Sequence, residues 1–251
     1  MASKKSKRQP ESAAQTLEAI ESTGDRLVQW ISDNPTPILG TAIAILVIAG
    51  VVGLTGDTFS SGSTESTAAL ARVQSNYQIA MGATPGTIEI PEPANPETAR
   101  RIRTETITAY EAVASDYAGT TAGALALLEA GELQQQLGET DAAVTTFERA
   151  LGAVDPDDTI RALVLSRLAA VHETAGRFAE AGAAYEQAGQ ILEYPLRFDA
   201  LADAARTYAQ AGDRTRALAA YQQILSEAPD FRIAPYIEAR LDELEDQPGA
   251  Q

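Results

Sequence analysis

From residue 121 onward the chain repeats itself, and no other feature constrains its fold as tightly. Three stretches align without gaps: LLEAGELQQQLGETDAAVTTFERAL, LSRLAAVHETAGRFAEAGAAYEQAG and LADAARTYAQAGDRTRALAAYQQIL. Leu127, Leu165 and Leu201 open the units, so the intervals are 38 and then 36 residues. Three further columns coincide: Gly138, Gly176 and Gly212; Ala143, Ala181 and Ala217; Phe147, Tyr185 and Tyr221. Each column has a physical reason. A glycine can take positive φ, which ends one helix and lets the chain reverse. Alanine five residues later allows two helices to cross closely. The aromatic one helical turn beyond fills the space between neighbouring units. A short unit of this kind cannot bury its apolar face alone, so copies must stack into a solenoid of helix pairs.

The columns resemble the tetratricopeptide repeat, with its small turn residue, alanine, aromatic and closing proline. Pro229 sits where the closing proline is expected, and Pro156 and Pro195 are displaced by one or two residues. Leucine replaces the early tryptophan of that repeat, and the glycine of its first helix occurs only as Gly131. The resemblance covers about residues 121–229 and implies an all-α fold of antiparallel helix pairs. Residues 96–117 read as the second helix of an earlier, degenerate unit, because Tyr110 lies 37 residues before Phe147. Asn95-Pro96-Glu97 starts that helix, with asparagine as N-cap and proline in the first turn. Residues 64–82 form a helix with Leu70, Val73, Tyr77 and Met81 along one side. Residues 83–96, with four prolines, are a loop. Residues 231–246 read as a capping helix, and 247–251 as a tail.

Ahead of the repeats, residues 38–54 read ILGTAIAILVIAGVVGL, without charge or a polar face. Widened to 35–56, the stretch matches the roughly 30 Å apolar core of a bilayer. It predicts an N-terminal transmembrane helix, joined by a linker at 57–63 to a repeat domain at 64–246. All three lysines of the chain, Lys4, Lys5 and Lys7, lie before it, with Arg8 and Arg26. The first basic residue after it is Arg72. The positive-inside rule therefore orients residues 1–34, a basic tail and an amphipathic segment, to the cytoplasm and the repeats to the outside. Trp30 suits the headgroup layer just before the span. The apolar run is longer than a signal-peptide core and stands behind a long hydrophilic segment, so it is expected to stay as an anchor.

Charge and composition close several functional classes. Residues 58–251 carry 29 acidic residues against 14 arginines, a net charge of −15, which repels nucleic acid. The absence of cysteine removes disulfides, thiolate chemistry and cysteine-ligated zinc. His172 is the lone histidine and reads as a helix residue. Phosphate-binding glycine loops and nucleophile elbows are missing. Asp155, Asp157 and Asp158 lack the spacing of a calcium loop and fit helix capping better. Arg100, Arg101 and Arg103 form a local basic patch, open to acidic headgroups or an acidic partner, although pairing within so acidic a domain is the simpler account. The expectation is a non-enzyme with no cofactor, no metal and no small-molecule substrate.

What remains is a surface. In the repeat register, the first helices line a groove with Leu125, Leu128, Glu132, Gln135, Leu163, Ser166, Glu173, Asp199, Ala202 and Arg206. Such a groove is mixed apolar and acidic with little positive charge. It suits an apolar or basic peptide segment and not a chain's C-terminal carboxylate. The order of parts, together with DRLVQWISDNP ahead of the span, is similar to the YfgM-like family of ancillary subunits of the bacterial Sec translocon. That resemblance implies a scaffold anchored in a bacterial inner membrane, with its repeats on the periplasmic side near the translocon. An adaptor for another envelope machine, in cytochrome maturation or cell division, stays open.

Overall fold

A computed structural model describes residues 61–84 and 90–246 of the chain, all within one unit, Ser60–Gln251. The basic tail, the amphipathic segment, the apolar stretch at 35–56 and the residues 247–251 lie outside the described residues. The described residues hold nine helices and no strand. They are α1 (Ser61–Met81), α2 (Pro96–Asp116), α3 (Thr121–Gln136), α4 (Thr140–Leu151), α5 (Thr159–Thr174), α6 (Phe178–Gln190), α7 (Arg197–Ala211), α8 (Arg214–Glu227) and α9 (Pro235–Asp246). Each helix packs on the next, and first helices also meet across units, α1 on α3, α3 on α5 and α7 on α9. None of these helices is long and apolar enough to cross a membrane.

The glycine column does what its chemistry requires. Gly138, Gly176 and Gly212 have φ of 78°, 72° and 80°, the left-handed region that other residues enter at a cost. An added Cβ would touch nothing at any of the three, so the backbone alone demands glycine there. Each glycine closes the same pair of bonds. Glu139 N donates to Gln134 O at 2.9 Å and Gly138 N to Gln135 O at 2.9 Å. Arg177 to His172 with Gly176 to Glu173, and Asp213 to Tyr208 with Gly212 to Ala209, repeat the pattern. This is the Schellman closure, which satisfies carbonyls left over at a helix end. Ala83 to Gln78 and Gly82 to Ile79 form it a fourth time at the end of α1, where Gly82 has φ 98°. With α2 packed against it, α1 is thus the first helix of an earlier pair, whose connecting loop is much longer than the others.

The other columns are the core. Ala143, Ala181 and Ala217 are fully buried, and Tyr110, Phe147, Tyr185 and Tyr221 are 8% exposed or less. Leu127, Leu165 and Leu201 are buried beside them. A fifth column joins these four: Gly131, Ala169 and Ala205, spaced by the same 38 and 36 residues. Phe147 explains its small size. A Cβ on Gly131 would lie 2.6 Å from Phe147 Cε1, so the aromatic packs onto the first helix of its own unit. Helix starts follow the expected chemistry. Asn95 Oδ1 accepts from Glu97 N at 3.0 Å, Thr120 Oγ1 from Gly123 N at 3.1 Å, and Asp158 Oδ1 from Ile160 N at 2.8 Å.

Two boundaries differ from those read in the sequence. The first helix begins at Ser61, inside the segment read as linker, because glycine and serine in a first turn cost a helix about 1 kcal/mol or less per residue, which its later packing recovers. The last helix begins at Pro235, not at 231. Phe231, Ile233 and Ala234 instead pack as an irregular strap against the core of the third unit, with the Phe231 ring 5.7 Å from that of Phe198.

Candidate functional site

The first helices α3, α5 and α7 present matched columns. Leu125, Leu163 and Asp199 share one position; Leu128, Ser166 and Ala202 the next; Glu132, Ala170 and Arg206 another. Between them runs a column absent from the sequence-based groove: Glu129, Arg167 and Asp203. It supplies Arg167, one partner in the pairing from unit to unit, while Asp203 pairs with Arg206 on its own helix.

Glu132 on α3 forms an ion pair with Arg167 on α5, N to O 2.8 Å, each side chain 28% exposed. Arg206 on α7 holds both carboxylate oxygens of Glu173 on α5, its Nη1 on Oε1 and its Nη2 on Oε2 at 2.9 Å. Arg206 Nε and Nη2 also donate to Oδ1 of Asp203, at 3.1 and 2.9 Å. Four donated bonds leave Arg206 nearly saturated. These rungs add Arg167 to the expected lining and leave both arginines paired with acids. In the first-helix ladder, acids of one unit are met by an arginine of the next.

The apolar part of the expected lining is also revised. Leu125, Leu128, Leu163 and Ala202 are 7%, 4%, 6% and 6% exposed and belong to the interior. The reason is that α3 is flanked by α1, α2, α4 and α5, so little of its circumference stays open. Glu132, Gln135, Ser166, Glu173 and Arg206 are half-buried, and Asp199 is exposed. Ser166 Oγ lies 3.3 Å from the hydroxyl of Tyr194, which comes from the α6–α7 connection and is itself buried.

Electrostatics single out Glu129. Its carboxyl is half-buried between Glu132, one turn along α3, and the interior, and burial first, then the Glu132 charge, push its pKa up to about 7; the Arg167 charge opposes this. Tyr77 on α1 and Tyr110 on α2 are held above their ordinary range by burial, and both feel the Glu129 charge. Burial likewise raises Asp203, against the pull of Arg206.

The remaining polar candidates are structural. Arg103 grips both oxygens of Glu92 and donates Nε to Gln136 at 3.0 Å, and Arg101 pairs with Glu105 at 2.8 Å. Intramolecular pairing therefore accounts for two arginines of the basic patch. His172 is a half-buried residue of α5, its pKa lowered first by burial and then by Arg177. Among the described residues, no group of three His, Asp or Glu side chains is placed to hold a metal ion.

One pocket, of about 300 Å³, opens where the third unit meets the last helix. It is lined by Arg206, Ala209 and Gln210 from α7 and by Tyr236, Ile237 and Leu241 from α9. Tyr236 is 67% exposed at its edge.

These features, stacked helix pairs with a Schellman glycine, a buried alanine and a buried aromatic per unit, agree with the comparison to known families. The pattern of the tetratricopeptide repeat-like domain family matches residues 29–246. The chain belongs to this family. As a tetratricopeptide repeat-like protein it presents the kind of stacked-helix surface that generally binds other proteins. No curated protein matches it. Among solved structures, it is similar to nearly identical TPR-like repeats from Podosopora anserina, provisionally assigned to a kinesin light chain, and to a single-substitution form of those repeats. Each shows 17% identity and a TM-score of 0.48 over 70% of this chain, covering 86% and 85% of the respective structures.

Proposed function

We propose that this protein is a membrane-anchored, non-catalytic scaffold whose repeats hold other proteins on the periplasmic side of a bacterial inner membrane, near the Sec translocon. The observation that carries this reading is the extent of the family match. It begins at residue 29, ahead of the apolar stretch at 35–56, so the stretch and the repeats form one family pattern. The stretch supplies the anchor, and Lys4, Lys5, Lys7, Arg8 and Arg26 ahead of it supply the direction. The stacked first helices supply the contact surface. Most of their charges are paired inside the domain, so contacts on this face depend on shape and apolar burial, with a residual preference for positive charge.

The test is site-specific photocrosslinking in intact membranes from Ser166, Asp199 and Tyr236, together with protease protection. The expected outcome is capture of translocon subunits or emerging chains from those positions, and digestion of residues 58–251 only from the periplasmic side. Protection of that region from periplasmic protease would reverse the orientation and remove the translocon reading.

A further inference from the structure

The pocket between α7 and α9 differs from the rest of the first-helix face in being both apolar and open. Its floor is Ala209, Ile237 and Leu241, and its edge is the exposed ring of Tyr236. Its polar lining is Arg206 and Gln210, and the bonding of Arg206 restricts what can enter. Four of the five guanidinium donors are already given to Glu173 and Asp203. Two carboxylates against one guanidinium leave the cluster behind this wall with an excess negative charge. Both bonds to Asp203 land on Oδ1, so Oδ2 takes none from Arg206, and the Asp203 side chain is 37% exposed. An occupant carrying a carboxylate would meet an arginine already given to two acids. An occupant carrying a cation would have Asp203, one turn before Arg206 on α7 and just outside the lining, with Oδ2 able to accept.

We propose that this pocket is a docking site for a peptide segment in which an aliphatic side chain is adjacent to a lysine or arginine. The aliphatic group enters between Ala209, Ile237 and Leu241 under the Tyr236 ring. The neighbouring cation reaches Asp203 Oδ2. About 300 Å³ accommodates one such side chain. The acidic balance of residues 58–251 draws the same class of ligand toward the domain. The assignment rests on the scaffold reading and narrows it to one place and one chemistry.

The test uses the full chain in detergent and a fluorescein-labelled, end-capped peptide, Gly-Ser-Leu-Lys-Ser-Gly, followed by fluorescence anisotropy. Two control peptides replace its leucine by serine or its lysine by glutamate. Saturable binding is expected for the first peptide, with both controls weaker by about tenfold or more. Tyr236→Ala, at an exposed position outside the core, should weaken binding by about fivefold with an unchanged melting temperature. Asp203→Asn should abolish the preference for lysine over glutamate while retaining the preference for leucine over serine. Binding of all three peptides alike, no saturable binding, or insensitivity to both variants would overturn the assignment. So would a finding that Tyr236→Ala only abolishes self-association, which would make a second copy the occupant. Failure is separable from failure of the scaffold reading. Capture of partners from Ser166 or Asp199 in membranes would then leave the scaffold standing without this pocket, whereas no capture from any position would remove both.

Discussion

At the scale of single residues, two glycines in one unit make opposite demands. Gly138 is required by its backbone, in open space, and Gly131 is required by space, in an ordinary helix. Gly138→Ala places a Cβ in the left-handed region and should cost about 1–2 kcal/mol. Gly131→Ala gains about 1 kcal/mol of helix propensity but drives a methyl into the fully buried Phe147 ring, and a net loss of about 1–3 kcal/mol is expected. Chemical denaturation of the full chain checks both. Adding Phe147→Leu should recover part of the loss at Gly131 and none at Gly138. Glu129 makes a different prediction. Its folded pKa, about 7, lies above the ordinary 4.5, so the folded state binds the extra proton. Its contribution is most favourable below about pH 4.5 and is lost as pH rises toward 7. Glu129→Gln should therefore raise stability at pH 8 by an amount on the order of 1 kcal/mol, discounted for partial exposure, and change it little at pH 5. Melting temperatures at the two pH values decide it, and an equal shift at both would mean that packing, not charge, is responsible.

At the scale of elements, the rungs between first helices set how one unit sits against the next. Glu132 with Arg167, and Glu173 with Arg206, are half-buried pairs that link α3 to α5 and α5 to α7. A double-mutant cycle on Glu132→Gln and Arg167→Met should give a coupling of about 1 kcal/mol, above the median for exposed pairs because neither side chain is freely solvated. Removing Arg206 alone is expected to cost more than removing Glu173 alone, since two carboxylates then lose their counter-charge. The last helix is a second such element. Leu241 is fully buried and Ile237 is 5% exposed, so α9 is integral to the third unit's core. Leu241→Ala should destabilise by about 2–4 kcal/mol, measured by denaturation.

At the scale of the whole molecule, stability in a stack of units is close to a sum of local and nearest-neighbour terms, so damage should stay local. Hydrogen exchange on the Leu241→Ala variant is expected to accelerate amides of α7, α8 and α9 while those of α3 and α4 keep their protection. Uniform acceleration would show a single cooperative block instead. The surplus negative charge acts at this scale too. Binding of any basic partner should weaken as salt rises from about 50 mM to about 500 mM, while stability, which rests on buried columns, changes little.

The repeat columns by themselves determined the fold. A left-handed turn, a close crossing and a filled seam each admit few residue types, so Gly138, Ala143 and Phe147 and their counterparts announce themselves at a fixed interval. Helix starts at Asn95 and Asp158 were legible for the same reason, since capping is local chemistry. The first-helix face was legible only in part. Periodicity placed Glu132, Glu173 and Arg206 on the first helices, but which leucines are covered depends on how many neighbours surround α3, and that is a property of the stack. The column of Glu129, Arg167 and Asp203 carries three different residues, so identity could not mark it. Only tertiary structure shows that these positions meet charges from the adjacent unit. The pocket beside Tyr236 was invisible for a related reason, because its walls come from α7 and α9, and the strap at 231–234 that brings them together carries no repeat signal.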